Sequence, residues 1–185
     1  MPVVNTDLFN LESRDEIRPT NDALIIRSVP GGVELAKARW WLIPHFYTGP
    51  LKDWKATTFN ARSETIQTMP SYREAFRHRR CLVPATGWWE WKDEGGPRKQ
   101  KYWVEPADGA PMMFAGIWDR AETSDQGPIE SFSIVTQPAG ALSALHHRAP
   151  LVLWTADWAS WVVPSGNVQP LLDRAPEDRF QIMRQ

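Results

Sequence analysis

Apolar and polar positions alternate in short runs along most of this chain. ALIIRS (23–28), VELAKARW (33–40), CLVPA (81–85), WWEWK (88–92), KYWVE (101–105), MMFAGIW (112–118) and SFSIVT (131–136) are strand-length and rich in β-branched and aromatic residues. GGV (31–33), DEGGP (93–97) and ADGAP (107–111) look like hairpin connections between neighbouring runs. Helical pattern is sparser. PSYREAFRHR (70–79) opens on Pro70, which suits a first helical turn, and TADWASWV (155–162) opens on Thr155 as a cap. The pattern predicts an α+β fold: a single compact domain, mostly antiparallel β-sheet with a barrel-like core, and a few short helices. There is no internal repeat or low-complexity linker, so residues 1–185 read as one domain.

Composition narrows the partners. With 42% hydrophobic residues in 185 positions the chain can bury a sizeable core. A formal net charge of -1 gives no global positive field to hold a long duplex, so any nucleic-acid contact must be local. Cys81 is the single cysteine, which excludes an intramolecular disulfide and fits a reducing, cytoplasmic setting. No apolar run approaches the ~18 residues that a bilayer span needs, so no membrane partner is expected.

One carboxylate stands out. In GWWEW (87–91), strand alternation puts Trp89 and Trp91 on one face and Trp88 and Glu90 on the other. Either that face is wet and Glu90 is solvated, or Glu90 is a desolvated carboxyl whose pKa rises toward working pH, as a general acid requires. Adjacent histidines in a strand point to opposite faces, so His146 and His147 are not expected to share a metal. His45 and His78 are isolated in sequence. No metal and no cofactor are expected. FRHRR (76–80) reads as a solvated helix end or as a local phosphate contact, and Trp40 and Trp41, beside Arg39, as core indoles or as stacking platforms for unpaired bases.

Six segments together carry a resemblance: IRPT (17–20), ARWWLIP (38–44), FNARSET (59–65), CLVPATGWWEW (81–91), SFSIVT (131–136) and LHHRAPLVL (145–153). In order and spacing they resemble the SRAP family, the SOS response-associated peptidases. That resemblance implies a small, mostly β domain that binds single-stranded DNA carrying an abasic site in the DNA-damage response. In the family an N-terminal cysteine, exposed by removal of Met, links to the sugar aldehyde, and "peptidase" refers to self-processing. Carried onto this chain, Asn60 would hydrogen-bond the opened sugar, Glu90 would be the acid/base group and His146 the second proton-transfer group. Arg62 and Arg148 would contact DNA, Thr136 would line the pocket, and Trp40 with Arg39 would flank it. The expected protein is a monomer, cytoplasmic, and nucleoid-associated if bacterial.

The chain departs from the family at its start, which reads MPVVNTDLF where relatives begin Met-Cys. Residues 1–16 are therefore read as a divergent or truncated segment, and family crosslinking through cysteine is not expected from these residues. Pro2, if Met1 were removed, would offer a secondary amine able to form an iminium. Cys81 is expected to be a buried strand residue. Two other functions stay open: a non-catalytic module that stacks single-stranded nucleic acid, and a general protease. The protease reading lacks a Gly-x-Ser-x-Gly elbow, a His-Glu-x-x-His pair and a cysteine-protease signature.

Overall fold

The computed structural model describes residues 3–5 and 16–185. In chain order these form β1 (Val3–Asn5), β2 (Asp22–Val29), β3 (Gly32–Trp40), β4 (Asn60–Arg62), α1 (Arg73–His78), β5 (Arg80–Ala85), β6 (Trp88–Lys92) and β7 (Gln100–Pro106). There follow β8 (Met112–Thr123), β9 (Gly127–Pro138), β10 (Arg148–Pro150), β11 (Val152–Trp154), α2 (Trp158–Val162), α3 (Gln169–Leu172) and β12 (Phe180–Arg184).

β2 and β3 form a hairpin from Asp22 opposite Arg39 to Val29 opposite Gly32, and Gly31 takes the left-handed φ of 90° that closes its turn. β8 and β9 form a second, longer hairpin, and β5 bridges the two by pairing with β2 and β8. β3 then meets β9 in parallel, Arg39 opposite Ser131 and Trp40 opposite Phe132. That pairing closes β3, β2, β5, β8 and β9 into a five-stranded barrel. Past that point β4 continues the same edge of β9 in parallel, while β10 pairs antiparallel along the opposite edge, where β8 has left it. β6, β7 and β12 form a separate three-stranded sheet. The α+β class with a barrel-like core is as expected. ADGAP, however, is not a hairpin: it carries the chain from β7 in the small sheet to β8 in the barrel.

The helices are shorter than their patterns suggest. α1 begins at Arg73 rather than Pro70, because residues 63–72 close turns such as Ile66 N–H to Arg62 O and Tyr72 N–H to Met69 O. α2 begins after Asp157 and not after Thr155. The Asp157 carboxylate reaches back to accept from Trp154 N–H at 3.0 Å, and Arg174 pairs with it. Of the basic run, Arg79 pairs with buried Asp119 at 3.1 Å and Arg77 with Glu74. Arg80 is buried, and its guanidinium donates to the carbonyls of Trp161 at 2.7 Å, Phe76 at 3.1 Å and Pro164 at 3.0 Å. A cation there satisfies carbonyls that the ends of both α1 and α2 leave unpaired. Most of FRHRR thus holds the fold and does not await phosphate. Among the described residues, no helix is long and apolar enough to cross a membrane.

The helical side of the core centres on Trp161, which is fully buried. Its indole edge packs on Phe76, and its N–H donates to Cys81 O at 3.0 Å and Gly116 O at 3.2 Å. Close approach there needs Gly116, because a Cβ would lie 2.8 Å from Cys81 Sγ. Burial raises the Cys81 thiol pKa and leaves it protonated and inert, as its strand position implied. Trp161→Ala is expected to cost about 3–5 kcal/mol, the usual range for emptying an aromatic core site. A urea titration should show a lower midpoint at unchanged slope.

Candidate functional site

The site lies where the small sheet meets the end of the barrel. In β6 the alternation holds: Trp88 and Glu90 share the face turned toward the barrel, while Trp89 and Trp91 lie on the outer face with Trp103 and Lys101 of β7. Trp88 packs edge-on against Phe114 of β8 and Phe180 of β12. Glu90 therefore sits at the rim of the inner face and not on the wet side, with 20% of its side chain exposed. Burial raises its pKa above the ordinary carboxyl value, against the Trp91 N–H that its Oε1 accepts at 3.2 Å and the nearby charges of His146, His147 and Lys99.

His146 stands opposite, its Nδ1 4.0 Å from Glu90 Oε1. The ring is oriented by Arg148, whose carbonyl oxygen lies 3.1 Å and whose backbone N–H nitrogen 3.3 Å from the same Nδ1. With Nδ1 so engaged, Nε2 is the ring nitrogen left open. The two adjacent histidines do not straddle a strand. They occupy the bend that enters β10, and their rings lie tilted against each other with centroids 4.2 Å apart. The alternation argument failed there because a bend has no period of two. Among the described residues, no group of three His, Cys, Asp or Glu side chains could hold a metal ion.

β9 gathers the remaining predicted residues. Asn60 lies opposite Ile134 and Arg62 opposite Thr136, with Ala61 between them fully buried, so Asn60 and Arg62 share the outward side of β4. Arg148 reaches from β10 to the Thr136 carbonyl and is held by both carboxylate oxygens of Glu64. Arg148 thereby brings the Glu64 carboxyl down to a pKa of about 2. Glu64 was not singled out by sequence, although it lies within the NARSET motif. A paired carboxylate already occupies the Arg148 guanidinium, so this arginine ties β4 to β10 and orients His146 before it could meet any DNA.

Arg39 and Trp40 lie elsewhere. They pair with Ser131 and Phe132, five residues back along β9 from Thr136, or about 17 Å at strand rise. Trp40 stacks on Phe132 and donates its N–H to Phe59 O at 2.7 Å, so its indole belongs to the barrel wall. Pro2 lies outside the described residues.

The fold and site define a small β-barrel protein in which a partly buried carboxyl faces an oriented imidazole where the barrel meets a second sheet. The family model for SOS response associated peptidase (SRAP) matches residues 3–184, and the chain belongs to that family. It is 34% identical over 165 residues to an abasic site processing protein of Saccharomyces cerevisiae, covering 87% of this chain and 42% of that one. Over 151 residues it is 31% identical to the abasic site processing protein YedK of Escherichia coli, covering 80% of this chain and 64% of the relative. Both matches thus span less than two thirds of the relative. A crystal structure of a protein from Bordetella bronchiseptica superposes with a TM-score of 0.82 at 25% identity, over 95% of this chain and 89% of that one.

The Glu90 environment has a thermodynamic consequence. Its pKa is higher in the fold than in the unfolded chain, so between the two values the folded state holds more protons. Stability therefore falls as pH rises through that window and stays reduced above it. Glu90→Gln removes the ionisation. Its stability relative to the parent chain is expected to improve as pH rises from the ordinary carboxyl value through the raised one, read as a growing gap between urea midpoints. A constant gap would mean that Glu90 is solvated.

Proposed function

We propose that this domain recognises abasic sites in single-stranded DNA and promotes chemistry at the exposed sugar aldehyde, within the DNA-damage response. The observation that carries the reading is the facing pair of Glu90 and His146, 4.0 Å apart at the end of β9, with Asn60 and Arg62 presented from the adjoining strand. Family membership and the printed names of the relatives as abasic site processing proteins support it.

The chemistry fits these groups. The sugar of an abasic site closes to a hemiacetal, and opening it requires a proton on the ring oxygen and removal of one from the anomeric hydroxyl. Glu90, with a raised pKa, supplies the proton in this scheme, and His146 Nε2 accepts one. An amine then adds to the aldehyde carbon, its proton passes to the carbonyl oxygen, and loss of water leaves an iminium. Asn60, exposed on β4, would hold a sugar hydroxyl, Arg62 a phosphate, and Thr136 the pocket wall. Arg148 is assigned to positioning His146.

A second reading is a module that binds the lesion without a covalent bond. The deciding experiment incubates the protein with a single-stranded oligonucleotide carrying one abasic site, adds borohydride, and resolves products on a denaturing gel. A trapped adduct is expected, and Glu90→Gln and His146→Ala should each slow its formation by roughly 100-fold, the scale of a lost acid/base group. Adduct formation at the parent rate in both variants would remove the pair from the mechanism. Selective binding of the abasic strand without adduct would leave the non-covalent module. Equal binding of abasic and intact strands would sink the lesion reading.

A further inference from the structure

The loop between β3 and β4 builds a second concavity. Thr20, Arg39, Trp41, Lys52, Trp54 and Gln126 all line an open cleft of about 330 Å³. Its aromatic walls are held in place. Trp41 donates its indole N–H to Ala56 O at 2.9 Å, and Trp54 donates its own to Thr58 Oγ1 at 3.0 Å. Thr58 is buried and passes its hydroxyl proton to Leu42 O at 2.6 Å. Tyr47 backs Trp54 at 5.0 Å and Phe59 backs Trp41 at 5.2 Å. With their N–H groups engaged, the indoles offer the cleft apolar π surface. At its edge Thr20 holds a φ of 81°, an outlier for a β-branched residue, fixed by its N–H to Trp40 O at 2.7 Å.

The charges at the cleft are positive. Arg39 is half-buried, and among the described residues it forms no ion pair; its one hydrogen bond, to Trp41 O, is long at 3.4 Å. Asp22, its partner in register, lies 3.8 Å from Lys37 Nζ instead. Lys52 adds a second, exposed cation, and no carboxylate lines the cleft. A half-buried guanidinium with no carboxylate in ion-pair contact among the described residues, Asp22 acting on it only at longer range, sits beside two locked indoles and suits a ligand that is both aromatic and anionic.

We propose that this cleft binds an intact nucleotide flanking the lesion, its base against Trp41 and Trp54 and its phosphate on Arg39 and Lys52. The proposal rests on the single-stranded DNA reading above. Continuity along β9 favours a nucleotide over a peptide with the same chemistry. Arg39 lies opposite Ser131 and Arg62 opposite Thr136, and Phe59 joins the two places by backing Trp41 just before Asn60. The separation along β9, about 17 Å at strand rise, is some five stacked nucleotides at ~3.4 Å each, within the footprint of one small single-strand-binding domain.

The test uses single-stranded oligonucleotides with one reduced abasic sugar, trimmed one nucleotide at a time on either side, with affinity read by fluorescence anisotropy. The expected result is a step in affinity when one flank becomes long enough to reach the cleft. Trp41→Ala and Trp54→Ala should each shrink that step by about 5-fold or more and leave the shortest strands unchanged, while Trp41→Phe keeps most of it. Arg39→Gln should flatten the salt dependence by about 0.7 in slope, one phosphate contact for a single strand. Circular dichroism verifies folding of each variant, and Trp54→Ala serves if Trp41→Ala unfolds. An unchanged step in both alanine variants overturns the proposal while the lesion preference of the short strands stands. A step without lesion preference keeps the cleft and overturns the lesion reading. Displacement of DNA by an acidic tryptophan-containing peptide at concentrations where deoxyadenosine monophosphate does nothing would give the cleft to a protein partner, and the proposal fails.

Discussion

The two edges of β9 carry the molecule. A strand must satisfy its backbone on both sides wherever it is buried, and β9 does so on one side through β8 and then β10, which brings Arg148 two residues after His146. On the other side β3 closes the barrel at Arg39 and Trp40, and β4 follows it with Asn60 and Arg62. Fold closure and site assembly are thus one act of hydrogen bonding. A register slip of one residue in β4 would bury Asn60 and Arg62 and expose Ala61.

The loop between β3 and β4 depends on the same strand. Ser131 Oγ accepts from Ile43 N–H at 2.8 Å, and the Ser133 hydroxyl donates to Thr58 O, both serines being fully buried. Asp119 on β8 adds an anchor by accepting from His45 N–H at 2.9 Å, and the His45 ring and Arg79 surround it. Buried hydroxyls and one buried carboxylate would be costly if unpaired, and here each holds a loop backbone group. The loop bearing Trp41 and Trp54 is consequently part of the scaffold, which lets its indoles act as fixed walls.

What was legible in the chain follows from where periodicity governs. The long strands were readable because alternation over five or more residues is a strong signal, and it placed Glu90 on the Trp88 side of β6 correctly. The three-residue strands β4, β10 and β11 have too few positions to show a period, and only a motif resemblance marked Asn60, Arg62 and Arg148. The Glu64 clamp, the approach of His146 to Glu90 and the cleft beside Arg39 are contacts between segments distant in sequence. The carboxylate of Glu64 and the guanidinium of Arg148 are 84 residues apart, and no local pattern joins them. β12 went unread because its outward positions stay exposed and its inward ones only complete a small sheet.

The two carboxylates of the site are shifted in opposite directions by their surroundings. Glu64 is more exposed than Glu90 yet has the lower pKa, because a guanidinium grips both of its oxygens. Glu90 has an imidazole 4.0 Å away and one backbone N–H, which do not offset its burial against the barrel rim. Direct pairing dominates the first and desolvation the second. The Arg148 backbone meanwhile orients His146, and its guanidinium is engaged by Glu64. Glu90, its pKa raised by burial, thus faces the His146 imidazole, while Glu64 is held ionised by Arg148.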